Sequence, residues 1–501
     1  MMKILQRLLL LVVPIQYYYL TIIAASLPTL CHAFTLQIGS PTQWSSSSSV
    51  SSSSVSSSLI KSRIVDTMDT DTKQTTTTTV TTTTTTTNPH DILSSFQSNP
   101  FQPWITNSHI QTIAGAYFRK ELAYIPRIFR NQPPPPSKDS FVWDMRERID
   151  TWDGDWFHVD HKRHPSTTGP PRDVVILLHG LEANSESKLT MDMAQAYYNI
   201  GMDVTCLNFR GCSGEPNDTW ISYHLGFVQD LEYYLYQTFL VKQQQQEPST
   251  IPRIYLSGFS LGANVMLLAL GRWGSEKALY PGNVATTPAT TTTSFSSSSS
   301  LRNLIHGATA FCVPLHNQAY QSMLRPGMNR DVYGRNLLTK LQDRTRQQYE
   351  RQSGQLPPTL SQEQYIQGIT AKTLYDFENA IIAPIYGFES TEDYYEKTSC
   401  VQYLSNITVP TMIWNAQDDP FFLSQDKTDD DISSTLQHFS SLVGTAPVKI
   451  VLSKHGGHCG FIFHHSTTTT EGQSSPTTSW ASQEMARFLQ HVRDNGDESK
   501  E

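Results

Sequence analysis

From residue 173 the chain alternates short continuous apolar runs with longer stretches of mixed pattern. Val174-Val175-Ile176-Leu177-Leu178 carries no polar residue, as expected of a strand buried on both faces of a parallel sheet. Residues 183–199 then read as a helix, 203–208 as a strand, about 222–242 as a helix, 253–257 as a strand and 261–272 as a helix. Strand and helix in alternation, joined by short links, predict an α/β fold with a mostly parallel sheet flanked by helices. A further strand is expected at about 302–313. Residues 314–400 are mainly helical and interrupt the strand series, as a cap insertion would. The last two strands are expected at 411–415 and 448–452, and an amphipathic helix at 482–492 closes the chain. Upstream, Asp153-Gly154 between two apolar runs predicts a hairpin, because glycine accepts positive φ.

The remaining length divides by composition. Residues 41–88 are very rich in Ser and Thr, and shorter tracts of the same kind occupy about 283–300 and 466–479. Such segments have too few apolar side chains to offset the entropy of ordering them. Setting them aside leaves roughly 350 residues, enough for one large α/β core. The expected organisation is a targeting segment at 1–33, a Ser/Thr-rich linker at 34–90, an accessory N-terminal region at 91–172 and the catalytic domain at 173–495. In the targeting segment Lys3 and Arg7 precede an apolar run from Leu8 to about Ala25. It reads as either a cleavable secretory signal or a retained membrane anchor, with Cys31-His32-Ala33 offering small residues for cleavage before Phe34. The hydroxyl-rich, acid-poor stretch that follows resembles the transit part of a bipartite plastid presequence. Membrane association through the anchor, or a secretory or plastid address if it is cleaved, are the readings left open.

Net charge is −8 with no Lys/Arg run, which speaks against nucleic acid as a partner. Of six cysteines none forms a C-x-x-C pair, so no zinc or thioredoxin-like motif is present in the sequence pattern. Without Cys31 five remain, an odd number that argues against a complete disulfide framework, although one or two bridges stay possible. No glycine-rich phosphate motif opens a helix after a strand, and no cofactor is called for.

The sharpest motif is Gly258-Phe259-Ser260-Leu261-Gly262, which follows one expected strand and opens the next helix. That context makes it a nucleophile elbow: the glycines relieve crowding in the tight turn and Ser260 projects at its tip. A serine hydroxyl near neutral pH needs a base. After the last strand stands His455-Gly456-Gly457-His458-Cys459-Gly460-Phe461, where flanking glycines favour His458 over His455. An acid must orient the base, and Asp418-Asp419-Pro420 follows the preceding strand. Asp419, directly before proline, is the favoured acid, with Asp418 as a structural neighbour. Two backbone N–H groups should hold an oxyanion, those of Leu261 and of Leu181 in the loop His179-Gly180-Leu181-Glu182. His179 is expected to brace that loop.

Together these residues resemble the type-4 family of the AB-hydrolase superfamily, over about residues 101–463. Phe101-Gln102-Pro103-Trp104 with Asn107-Ser108-His109-Ile110-Gln111-Thr112 is similar to its N-terminal signature. The segment about Asp153-Gly154-Asp155, then His179-Gly180-Leu181-Glu182, then Asn208-Phe209-Arg210-Gly211-Cys212-Ser213-Gly214 follow in family order. The end of the pattern is Asn415-Ala416-Gln417-Asp418-Asp419-Pro420-Phe421 and His455-Gly456-Gly457-His458. The resemblance implies an α/β-hydrolase fold with a helical cap and a Ser260–Asp419–His458 triad. It implies hydrolysis of carboxylic esters of lipids, of acylglycerol or phospholipid type and of short to medium chain length, at a membrane surface. An acyltransferase or thioesterase would use the same triad, and a catalytically silent scaffold is the alternative of a different class. Glu378 departs from the pattern, where Asp is expected, as do the Ser/Thr tracts.

Overall fold

The computed structural model describes residues 88–123, 141–165, 171–241, 252–275, 298–315, 320–421, 431–464 and 478–496. The presequence, the linker up to residue 87 and most of the two downstream Ser/Thr tracts lie outside the described residues, and with them the anchor and signal readings. Among the described residues no helix is long and apolar enough to cross a membrane.

Eight strands form one sheet: β1 (Met145–Asp150), β2 (Trp156–Lys162), β3 (Val174–Leu178), β4 (Asp203–Leu207), β5 (Ile254–Phe259), β6 (Ile305–Phe311), β7 (Thr411–Ala416) and β8 (Val448–Ser453). Their spatial order is β1-β2-β4-β3-β5-β6-β7-β8. Strands β1 and β2 pair antiparallel, as do β2 and β4, and every other pairing is parallel. This is the expected α/β-hydrolase architecture. Every residue of β3, β4 and β5 is buried, as the unbroken apolar run of β3 predicts for a strand covered on both faces; β4 and β5 also bury the polar Asp203, Thr205 and Ser257. One apolar cluster packs the helix Leu261–Gly274 against one face, and a second packs Lys188–Asn199 and Trp480–Asn495 against the other. All five described cysteines are unpaired thiols, so no disulfide forms among them.

The hairpin expected at Asp153-Gly154 joins β1 and β2, with Gly154 at φ 78. Its charges are built into the core. Arg210 lies on Asp230 at 2.7 Å and on Asp153 at 2.6 Å with its side chain wholly buried. Asp155 accepts from Asn217 and Thr219, and Asp160 accepts from Arg146 and Asn208. Two segments whose role the sequence left unassigned, around residues 153–155 and 208–214, are therefore one polar lock. Breaking one partner of such a buried ion pair typically costs about 3–5 kcal/mol.

Several elements differ from expectation. The helix drawn from residue 183 begins at Lys188, because 180–187 form a hydrogen-bonded loop instead. The helix drawn over 222–242 is a short one, Gln229–Leu235, continued by a π-helical turn, Tyr236–Leu240. Residues 302–304, read as strand, end the helix Ser298–Leu304, whose Leu301 and Leu304 reach the core at helical spacing. The tract drawn to residue 479 ends earlier. Ser479 is buried, and its hydroxyl bridges Arg119 and Asp192.

Between β6 and β7 the described chain is helical: Tyr320–Leu324, Arg335–Arg351, Gln362–Ile369, Leu374–Phe377, Ala383–Tyr386 and Thr391–Thr398, with π-helical turns between. This insertion has its own apolar cluster, which includes Leu338, Tyr365, Phe377 and Ile381. Glu378 is partly buried beside it. Burial pushes its carboxyl up to about 8, and Tyr395 donates a hydrogen bond to it.

Candidate active site

Ser260 stands at the junction of β5 and the helix Leu261–Gly274, with φ 54 and ψ −122. Such a conformation is strained for a side-chain-bearing residue, by about 1–3 kcal/mol. It persists because the turn is determined from both sides. The Ser260 N–H donates to the Phe311 carbonyl at 2.9 Å, and the Asn264 N–H donates to the Ser260 carbonyl at 3.1 Å. No side chain fits around it. A Cβ on Gly262 would lie 2.4 Å from the carbonyl oxygens of Leu178 and His179, and one on Gly258 would lie 2.8 Å from Gly262.

His458 follows β8 in a tightly folded loop. Its Nε2 lies 3.0 Å from the Ser260 Oγ and its Nδ1 2.8 Å from the Asp419 Oδ2. Asp419 follows β7, is almost completely buried, and accepts the Phe421 N–H on its other oxygen at 2.8 Å. The three side chains named from the sequence thus form one chain of contacts. Burial pulls the His458 imidazole down, but the Asp419 charge and the Cys459 sulfur more than offset this, and it ends well above its ordinary value.

The competing residues are placed elsewhere. Asp418 instead accepts the Gly457 N–H at 2.9 Å, with His455 Nδ1 3.4 Å from its other oxygen. Burial pushes the Asp418 carboxyl up to about 7. His179 is wholly buried. Its Nδ1 donates to the Gly180 carbonyl and its Nε2 accepts the Phe209 N–H, the pattern of a neutral ring. Burial holds it down at about 4. It braces the loop that carries Leu181. That loop abuts the serine, since a Cβ on Gly180 would lie 3.3 Å from the Ser260 Cβ. Glu182, next in the loop, has φ 56 and is pinned by Tyr223, which accepts from its N–H and donates to its carboxylate. Arg344, from the helical insertion, adds an ion pair to Glu182 at 3.1 Å.

Sequence reasoning left several neighbours of His458 without a role. The Thr112 Oγ1 accepts the His458 N–H at 2.9 Å. The Gln111 side chain donates to the Ile462 carbonyl and accepts the Ile462 N–H, both at 2.9 Å. Arg119, buried, donates to the carbonyls of Cys459 and Gly460. All three come from the helix Ser108–Ala123, and Gln111 and Thr112 belong to the N-terminal signature, so that segment helps hold the histidine loop. The loop needs holding: Gly457, Cys459, Phe461 and Phe463 all have positive φ. Phe421 stacks on the His458 ring with centroids 4.1 Å apart. The Cys459 Sγ lies 3.7 Å from the His458 Nε2, and the Cys459 N–H donates to the Cys312 Sγ at 3.1 Å. Adjacency to His458 was the only signal of Cys459 in the sequence, and Cys312 had none.

Chemically, a hydroxyl, an imidazole and a buried carboxylate in series can activate the hydroxyl as a nucleophile. No family model matches the chain. Among curated proteins it is similar to YheT of Escherichia coli strain K12, named a candidate esterase, at 26% identity over 71% of this chain and 85% of that one. The monoacylglycerol lipase of Saccharomyces cerevisiae is 23% identical over 72% of this chain and 67% of its own length. The human phospholipase ABHD3 is 23% identical over 74% and 76%. Among solved structures, the Pyrococcus furiosus esterase Pf2001 aligns over 65% of this chain and 86% of its own, with 14% identity and a TM-score of 0.34.

Proposed function

This chain belongs to the α/β-hydrolase superfamily and is a carboxylic ester hydrolase, and on that premise we propose that it cleaves lipid esters through Ser260, His458 and Asp419. The observation that carries the assignment is the pair of contacts at 3.0 and 2.8 Å that links the three side chains. Ser260 attacks the acyl carbonyl as His458 Nε2 takes its proton, and Asp419 holds the imidazole with its other proton on Nδ1. The N–H groups of Leu261 and Leu181 hold the oxyanion, one at the helix N-terminus and one in the braced loop. The imidazolium then protonates the leaving alcohol, and water resolves the acyl-enzyme. The raised proton affinity of His458 favours the step in which it takes the serine proton.

The lipid character of the substrate is supported by the names of the yeast and human relatives, a monoacylglycerol lipase and a phospholipase. The helical insertion between β6 and β7 would act as the cap, tied to the oxyanion loop through Arg344 and Glu182. A membrane surface is the proposed site of action, from the apolar run at residues 8–25.

The test is the full-length chain treated with a fluorophosphonate probe beside Ser260→Ala, followed by release of fatty acid from monoacylglycerols and lysophospholipids of graded chain length. Labelling and turnover in the wild type, with labelling abolished and turnover down by about 10⁴ or more in the variant, is the expected result. Equal labelling of both proteins, or none of the folded wild type, would overturn it. Adding a primary alcohol and assaying for its ester separates acyl transfer from hydrolysis.

A further inference from the structure

Three ligating groups that the hydrolytic reaction does not need in combination converge at the histidine loop: Cys312 Sγ, Cys459 Sγ and a ring nitrogen of His458 lie within 4.8 Å of one another. Cys312 is fixed at the C-terminal end of β6 and is fully buried. Cys459 comes from the loop after β8 and is partly accessible. Two sulfurs and one imidazole nitrogen are the donor set of a tetrahedral zinc site with one position left for water. With Zn–S of about 2.3 Å and Zn–N of about 2.0 Å, a tetrahedral S···N edge is about 3.5 Å. The Cys459 Sγ–His458 Nε2 separation is 3.7 Å, so that edge is already in place.

The surrounding hydrogen bonds fit the same use. A metal-bound histidine usually gives its other ring N–H to a carboxylate, which fixes the ring and raises its basicity. Asp419 stands at 2.8 Å from the His458 Nδ1. A metal-bound thiolate commonly accepts a backbone N–H, and the Cys459 N–H points at the Cys312 Sγ from 3.1 Å.

We propose that Cys312, Cys459 and His458 form an inhibitory site for a soft divalent cation, Zn²⁺ foremost. The ion displaces one proton from each thiol, both released to solvent, and takes the lone pair of His458 Nε2, whose Nδ1 keeps its proton on Asp419. That lone pair is the one that faces the Ser260 Oγ at 3.0 Å, so an occupied site leaves the serine without its base. The inhibitory consequence rests on the hydrolase reading; the metal site itself does not.

Two measurements on the full-length protein test the proposal separately. Co²⁺ added to the thiol-reduced wild type should give a near-ultraviolet thiolate-to-cobalt charge-transfer band that Zn²⁺ abolishes and that weakens in Cys459→Ala. Zn²⁺ should inhibit ester hydrolysis reversibly, with EDTA restoring the rate. In Cys459→Ala and Cys312→Ser the half-inhibiting concentration should rise at least tenfold, each read against the variant's own metal-free rate. Cys459→Ala is the decisive variant, because its side chain is partly accessible and borders the core, whereas that of Cys312 is fully buried. Absence of the cobalt band in the wild type would overturn the site, and so would inhibition equal in wild type and Cys459→Ala. A cobalt band without any hydrolysis in metal-free protein would overturn the hydrolase reading and leave the metal site standing.

Discussion

Two adjacent carboxylates compete for one role, and the structure separates them sharply enough to predict opposite outcomes for the same conservative change. Asp419→Asn keeps the shape of the residue. One of its terminal atoms must still accept the Phe421 N–H now received at 2.8 Å, so the oxygen takes that position and the amide nitrogen faces His458 Nδ1. An amide N–H there forces Nδ1 to accept, which moves the ring proton to Nε2. The lone pair facing Ser260 is then gone. Loss of the correct tautomer with geometry intact costs on the order of 10⁴ in kcat, or about 5.5 kcal/mol of transition-state stabilisation. KM should change little, because Asp419 has almost no accessible surface to offer a substrate. Asp418→Asn can keep its oxygen on the Gly457 N–H and loses only its partnership with His455. Its expected loss is less than about tenfold, the scale of one loop contact of about 1 kcal/mol. Steady-state kinetics on a p-nitrophenyl ester, with thermal melts to show that both variants fold, decides the matter. If Asp418→Asn falls as far as Asp419→Asn, or if Asp419→Asn keeps more than a tenth of the rate, the assignment of the acid is wrong.

Two further outcomes follow from the packing. Gly262→Ala places its methyl 2.4 Å from two backbone carbonyls that have no room to yield, so it should cost about 3 kcal/mol or more and lower kcat as well. Gly154→Ala, in open space at φ 78, should cost only about 1–2 kcal/mol; urea midpoints in the reverse order would refute this reading of the elbow. Burial holds the rings of His179 at about 4 and of His224 at about 3, so the folded state keeps them neutral while the unfolded chain takes up protons near 6.5. Their contribution is whole above pH 6.5 and is lost as pH falls, by about 3 kcal/mol for each at pH 4. Urea unfolding of His224→Phe between pH 7 and pH 4 should show a slope shallower than the wild type by that amount, and an identical slope would count against it.

Legibility in the sequence followed the range over which each feature is decided. Apolar runs such as Val174–Leu178, the glycines at two positions on either side of Ser260, and the order serine, acid, histidine along the chain are local facts, so the α/β sheet and the elbow could be read directly. Burial of a strand on both faces favours apolar residues throughout, as in Val174–Leu178, and a turn that excludes Cβ leaves only glycine; composition therefore records both. What could not be read is what depends on direction and on distant partners. Asp418 and Asp419 differ in which way each side chain points, and only the path of the loop after β7 decides it. Cys459 meets Cys312 across 147 residues, and Gln111, Thr112 and Arg119 reach the histidine loop across some 340 to 350. Residues 302–304, Arg302-Asn303-Leu304, are too short and mixed to show a period of their own, and the packing of Leu301 and Leu304 on the core selected the helix. Ser479 belongs by composition to a low-complexity tract, yet Arg119 and Asp192 give its hydroxyl buried partners. The chain by itself determined the scaffold and the kinds of reactive group, because these are written in spacing. The tertiary structure decided which groups meet, because that depends on where eight strands bring loops far apart in sequence to one edge of a sheet.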